Sequence, residues 1–470
     1  MSIFINLIKK IDINDDCYEK LLNSSEIVKK IGHVFDFSRN KLIFLVEKSF
    51  LLKHIDDVIF TAMILLFTAS LFVGTGLLGL IACIVFFLTL VKFLLFNSGD
   101  SIKSAINIPV FLYFLIAAIS VAFSFYFFHS IKGYSKMIIY LGAYISFLSC
   151  LKSKPSRIPI IITILALLVG IEAFYAVYQN FVGIEDLATW QDKTAVNPEQ
   201  LMNRVYGTLK PYNPNLLGGY LVAGFSALLG TFFLGIKNKL KTILSVTGII
   251  LTLAAIGLTG SRGAYIATAA ISFGFVIISG HILWHDFSEK KWLKKAWILS
   301  IITMIIGVCL LILISPSLQH RVLSIFALRG DSSNSFRMNV YISTLKMFFD
   351  NSLIGIGTGN TTFRLVYGLY MITGFDALGA YCVPLEIAAE SGIFALLSFL
   401  WLLFMCFIRS IKNICSNVNF ENKVIISVCI LSITGMMIHG LVDTVWYRPQ
   451  IHLVFWLYIS IIAVLTSKES

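Results

Sequence analysis

Apolar runs of about 20 residues recur along the whole chain, and each matches the length a helix needs to cross the bilayer core. Nothing else in the sequence constrains the fold as strongly. Of the 470 residues, 57% are hydrophobic and 13% charged, roughly half the charged share of a soluble domain. Ten-residue alternation of apolar and polar positions is absent, which argues against a β-barrel. The reading is therefore an all-α, polytopic membrane protein. Twelve segments qualify, at 58–75, 77–96, 107–128, 135–151, 158–181, 215–236, 241–259, 263–284, 296–315, 384–408, 424–441 and 449–466. Residues 1–57 form an N-terminal segment and 58–470 a transmembrane domain with about 12 transmembrane helices.

The net charge of +12 falls in short loops between these runs. That is an orientation signal, and it excludes a nucleic-acid patch. With the N-terminus in the cytoplasm, 25 of 37 basic residues lie inside and both termini are cytoplasmic. Two long loops, 182–214 and 316–383, are then outer, and the second carries helix-like pattern in "SFRMNVYISTLKMFFD" and a glycine turn in "GIGTGN". Long ordered loops between spans usually carry function. Residues 1–57 mix acids, lysines and short apolar patches without a cleavage site. They read as a cytoplasmic segment with amphipathic helical stretches at the membrane surface rather than as a cleaved signal. The eight cysteines are scattered without a CxxC pair, so neither a disulfide framework nor a zinc site is expected.

Arginine and lysine are sorted. Seven of ten arginines are outer (Arg204, Arg262, Arg321, Arg329, Arg337, Arg364, Arg448), against five of 27 lysines. Any cation serves the orientation rule, whereas arginine suits two-pronged binding of phosphate or carboxylate. The outer face therefore reads as an anion site. The alternative for each arginine singly is a pair with an outer acid such as Glu185, Asp186, Asp331 or Asp376.

Three arginines stand out. In "LTGSRGAYIATAA", Arg262 opens a span, with Ser261 placed to cap it and Gly260 and Gly263 letting the backbone approach a ligand. Arg337 follows the capping stretch Ser332, Ser333, Asn334 and Ser335. Arg204 precedes a Pro-Asn turn that opens the sixth run. Glu172, well inside the fifth run, should face the bundle interior and pair with a cation, in either a structural or a functional role. In "IHGLVDTVWYRPQIH", His439, Asp443 and Arg448 cluster, and a local Asp443–Arg448 pair is the simplest account.

The stretches "GSRGAYIATAA", "SFRMNVYISTLKMFFDNSLIGIGTGN" and "YCVPLEIAAESGIFALL", in that order and spacing, resemble the O-antigen ligase/polymerase superfamily over roughly residues 200–410. "AYCVPLEIAAESG" and "DTVWYRPQIHLVFW" are most similar to the branch named for bicarbonate (inorganic carbon) transport. The resemblance implies a GT-C-like bundle in the bacterial plasma (inner) membrane. It implies a glycosyltransferase that takes a glycan from a polyprenyl-diphosphate carrier and passes it to a glycan, lipid or other hydroxyl acceptor. No metal or other cofactor is implied, because arginines neutralise the leaving diphosphate. Arg262 and Arg337 match the family's diphosphate-binding arginines, and Arg204 is the further candidate for that role.

Family ligases carry a His-Asn pair eleven and ten residues before the motif glycine, and in this chain those positions are Tyr381 and Cys382. An unperturbed tyrosine, with a pKa of about 10, is a poor base at neutral pH. Glu386 and Glu390, one turn apart behind Pro384, share a helix face and are the candidates to take the acceptor's proton. Otherwise they balance outer arginines. The alternative functions are a transporter of bicarbonate or another small anion, using the same cations, and a non-catalytic binder of lipid-linked glycans.

Overall fold

The computed structural model describes residues 15–26, 30, 32, 39, 44, 46, 48–96, 98–183, 203–287, 289–327 and 331–467. Among these residues every regular element is helical. A short helix, α1 (Asp15–Ser24), precedes the bundle. The first apolar runs form α2 (Ile55–Ala69), α3 (Thr75–Leu95), α4 (Asn107–Ala122), α5 (Phe127–Ser153) and α6 (Ile158–Val182). Next come α7 (Pro214–Gly235), α8 (Lys239–Thr259), α9 (Arg262–His285) and α10 (Lys291–Ile314). The segment 316–383 folds into α11 (Pro316–Leu323), α12 (Ser332–Asp350) and α13 (Asn360–Tyr367). The chain closes with α14 (Val383–Ile414), α15 (Phe420–Gly440) and α16 (Pro449–Thr466).

Each of the twelve apolar runs is a helix, but ten are long and apolar enough to cross a membrane. The two short ones are α2, of 15 residues, and α4, of 16. At about 1.5 Å per residue they fall short of the roughly 30 Å hydrocarbon core. The difference from about twelve has a local cause: hydropathy runs on through residues that the backbone uses for turns, at Ser70–Gly74 after α2 and Phe123–Tyr126 after α4.

The centre of the bundle is α7, α15 and α16, each buried over 83% of its apolar window, while α10 is buried over 0% of its own and lies outermost. Glycines on α7 make the close packing possible. A methyl group at Gly224 would overlap Val169 of α6, and one at Gly230 would overlap Val428 of α15. Small residues let backbones approach where lipid offers no hydrophobic drive for association.

Helix α14 is broken at Gly392, whose φ is 81°. The opened backbone groups are not left orphaned. Ala389 and Glu390 carbonyls accept from the N–H groups of Ile356 (3.1 Å) and Gly357 (2.9 Å), and the Ile393 N–H donates to Ser352 (2.8 Å). The Ser120 hydroxyl also donates to the Glu390 carbonyl at 2.6 Å. Irregular backbone at membrane depth persists only with such internal partners. The glycine turn of residues 355–359 is thereby welded to the mouth of a span.

The two ends of the bundle differ in charge. At the lysine-rich end, Lys92 is 3% exposed and meets Asp56 (2.7 Å), Ser149 and Ser153. Asp57 takes Lys154 and Arg157, and Lys423 meets Asp286 at 2.8 Å. Helix α1 docks on this end, with Asp15 accepting from the Ala105 N–H at 2.9 Å and lying 3.4 Å from Arg409. Helix α1 of the N-terminal segment therefore packs on protein.

Candidate anion-binding site

At the opposite end, the loop before α7, the start of α9, and helices α11 and α12 enclose a cavity of about 600 Å³. Arg204, Arg262, Arg321 and Arg337 all line it, against Asp331 and Asp443 as the acids. Sequence separation between these arginines is large, so only the fold brings them together. Arg329, Glu185 and Asp186 lie outside the described residues.

Each arginine is held differently. Arg262 sits in the first turn of α9 behind Gly260, which takes the left-handed conformation (φ 61°). Its guanidinium meets Asp331 at 2.9 Å and donates to the Ser324 carbonyl and hydroxyl, each at 3.2 Å. The alternative of a pair with an outer acid therefore holds for Arg262. It also holds for Arg364, which pairs with Asp376 at 2.6 Å away from the cavity. Ser261 occupies the N-cap position but makes no side-chain capping bond. The cap of α12 is Asp331, accepting from the Asn334 N–H at 2.8 Å, so one carboxylate both starts that helix and fixes Arg262.

Arg337 donates to the Ser333 hydroxyl at 2.7 Å and lies 3.7 Å from Asp443, and its buried Nε has no hydrogen-bond partner among the described residues. Asp443 accepts from the Asn215 amide at 2.9 Å. The local Asp443–Arg448 pair is thus replaced by an Asp443–Arg337 pair, and Arg448 is exposed and does not line the cavity. Arg204 donates to the Thr259 carbonyl and the Asn215 side-chain oxygen, both at 2.6 Å, and forms no ion pair with a carboxylate among the described residues. Burial, and next the neighbouring Arg321, push its guanidinium down to about 9. Charge crowded in this way favours an incoming anion. Arg321, buried on α11, completes the set; its membership in the outer arginines was the only sequence signal for it.

Tyr381 lines the cavity with a positive φ of 53°, a conformation rare for a residue with a side chain. Its carbonyl accepts from the Tyr341 hydroxyl at 3.2 Å. Burial, and then Asp443, raise its phenol above the ordinary value, with Arg337 opposing. The phenol therefore stays protonated at neutral pH. His439, on α15, also lines the cavity, and its buried Nε2 has no hydrogen-bond partner. Sequence reading noted this histidine without giving it a role.

Glu386 and Glu390 do not line the cavity. Both are buried, with 2% and 7% exposure. Glu386 accepts from the Ala380 N–H at 2.7 Å and Glu390 from the Gly359 N–H at 3.0 Å. Neither balances an arginine among the described residues; both tie loop backbone to α14. Glu172 follows the same pattern. It is 1% exposed and pairs with no cation among the described residues, contrary to the expectation for a buried acid. Its two oxygens accept from the N–H and hydroxyl of Thr208, each at 2.7 Å.

The model of the O-antigen ligase family matches residues 247–400. The matched stretch runs from α8 through the break in α14. It includes Arg262, Arg321, Arg337 and Tyr381, while Arg204, His439 and Asp443 enter the cavity from outside it. Over that stretch the chain is similar to O-antigen ligases. No curated protein matches the chain.

Proposed function

We propose that the protein handles a polyprenyl-diphosphate-linked saccharide at the outer face of the bacterial plasma membrane, as a metal-independent, O-antigen ligase-like glycosyltransferase. One observation carries the reading: four arginines converge on a single cavity that holds two carboxylates. The family match over residues 247–400 supports it. With both termini cytoplasmic, this cavity opens on the outer side.

In this reading the arginines bind the diphosphate. The acceptor hydroxyl oxygen attacks the anomeric carbon, the bond from that carbon to the phosphate oxygen breaks, and the electron pair leaves with the diphosphate. Preorganised guanidinium groups stabilise that developing charge. Tyr381 adds a donor. The acceptor's proton passes to a group on the cavity wall, and Asp443 is the carboxylate there that is not committed to Arg262. Glu386 and Glu390 keep the mouth of α14 in shape and are not assigned the proton.

The test is transfer of glycan from a lipid-linked donor by purified protein in liposomes. Transfer should appear, and should be lost in Arg337→Ala without loss of folding. Absence of both transfer and donor binding sinks the proposal. Bicarbonate uptake into the same liposomes, dependent on Arg262 and without transfer, would instead support the small-anion transporter.

A further inference from the structure

The loop that carries Arg204 has no regular structure between residues 203 and 213. It nevertheless lies against the upper part of α6 and is fixed there at successive amides. Gln179 accepts through its side-chain oxygen from the N–H groups of Tyr206 and Gly207, each at 3.1 Å. One step further on, Glu172 takes both the N–H and the hydroxyl of Thr208. Three consecutive backbone donors thus end on two side chains of one helix, seven residues apart and on the same face. Gly207 has φ 68°, and a methyl group there would overlap the Glu172 carboxylate. The single proton of the Thr208 hydroxyl has two acceptors within reach, Glu172 at 2.7 Å and the Leu71 carbonyl at 2.8 Å.

A carboxylate in a membrane span without a cation is costly to keep. This one is satisfied by loop backbone, and the loop's other end is the guanidinium that reaches Thr259 and Asn215 in the cavity. Asn215 in turn donates to Asp443, which faces Arg337. The loop backbone between residues 204 and 208 therefore connects the hydrogen bonds on α6 to those that Arg204 makes in the anion cavity.

We propose that Glu172 and Gln179 are positioning residues for Arg204: they set the loop so that its guanidinium meets the bound diphosphate, and so determine affinity for that group. The inference rests on reading the cavity as a diphosphate site.

The experiment is a double-mutant cycle on the full chain in detergent, with farnesyl diphosphate as the probe. Glu172→Gln should weaken binding about tenfold, within the range seen for residues in one hydrogen-bond network. In an Arg204→Ala background the same change should cost nothing further. Thr208→Val, which removes one donor and leaves the carboxylate, should give a smaller loss with the same dependence on Arg204. It decides the matter if Glu172→Gln does not fold. Faster amide exchange at residues 206–208 in either variant would locate the loosened segment. Equal losses in both backgrounds, or unchanged affinity in Glu172→Gln and Thr208→Val, overturn the proposal while leaving the diphosphate site standing. Failure of the unmodified protein to bind the probe removes the diphosphate site itself, and the positioning role with it.

Discussion

The two ends of the bundle are both rich in cations and use them in opposite ways. At the lysine-rich end, Lys92, Lys154, Arg157 and Lys423 each meet a carboxylate, and the charges close on one another. At the arginine-rich end, four guanidinium groups line one cavity; Arg262 meets Asp331, Arg337 lies 3.7 Å from Asp443, and the Arg337 Nε has no partner among the described residues. Paired charge holds a structure together, whereas guanidinium groups gathered on one cavity suit the anion site proposed above. The local geometry, rather than the number of positive residues, separates the two uses.

The comparison can be broken by mutation. The largest expected effect is at the arginine-rich end: Arg337→Ala should lower glycan transfer about 10²- to 10³-fold, as loss of one transition-state donor does, with the melting temperature nearly unchanged. Lys92→Met should do the reverse. Removing one partner of a buried pair should cost about 3 kcal/mol of stability, read by thermal unfolding, with farnesyl diphosphate affinity unchanged.

pH sharpens the contrast. Burial, and next Arg321, push the Arg204 guanidinium down to about 9, and a bound diphosphate would raise that value. Affinity should therefore be level below pH 9 and fall as the proton is lost above it, by about tenfold at pH 10. Arg204→Ala should flatten that fall.

The smallest effect belongs to the lysine-rich end. Burial would raise the Asp286 carboxyl, but Lys423, and then His285, hold it below its ordinary value. The stability it contributes is present above the usual carboxylate range and is lost as pH falls through the depressed value. Asp286→Asn should abolish that acid sensitivity, seen as a shallower loss of melting temperature below pH 4, roughly the unfolded carboxylate's pKa.

Much of this arrangement was legible in the sequence because it depends on quantities a sequence carries. Apolar length marked every helix of the bundle, and the sorting of arginine from lysine pointed to the end that holds the cavity. What escaped was pairing. Glu172, Glu386 and Glu390 look like ions in need of counterions, since a sequence displays side chains and hides backbone donors. Their partners turned out to be the amides of Thr208, Ala380 and Gly359. Asp443 suggested Arg448 because the two are close in the chain, yet α12 delivers Arg337 to it across more than a hundred residues. The missing histidine at Tyr381 was visible. The strained backbone there was not, because a positive φ at a tyrosine exists only where surrounding contacts enforce it.

The break at Gly392 has a mechanical meaning. Its backbone groups are hydrogen-bonded to residues 352, 356 and 357, a segment that directly follows α12, whose first turns line the cavity. The end of α12 and the mouth of α14 are therefore tied to one another through backbone hydrogen bonds. Heat or detergent that frays the first turns of α14 should therefore loosen α12 as well. Binding and helicity should disappear together, along one melting curve, and a chain loosened at Gly392 should lose its ligand before it loses its membrane.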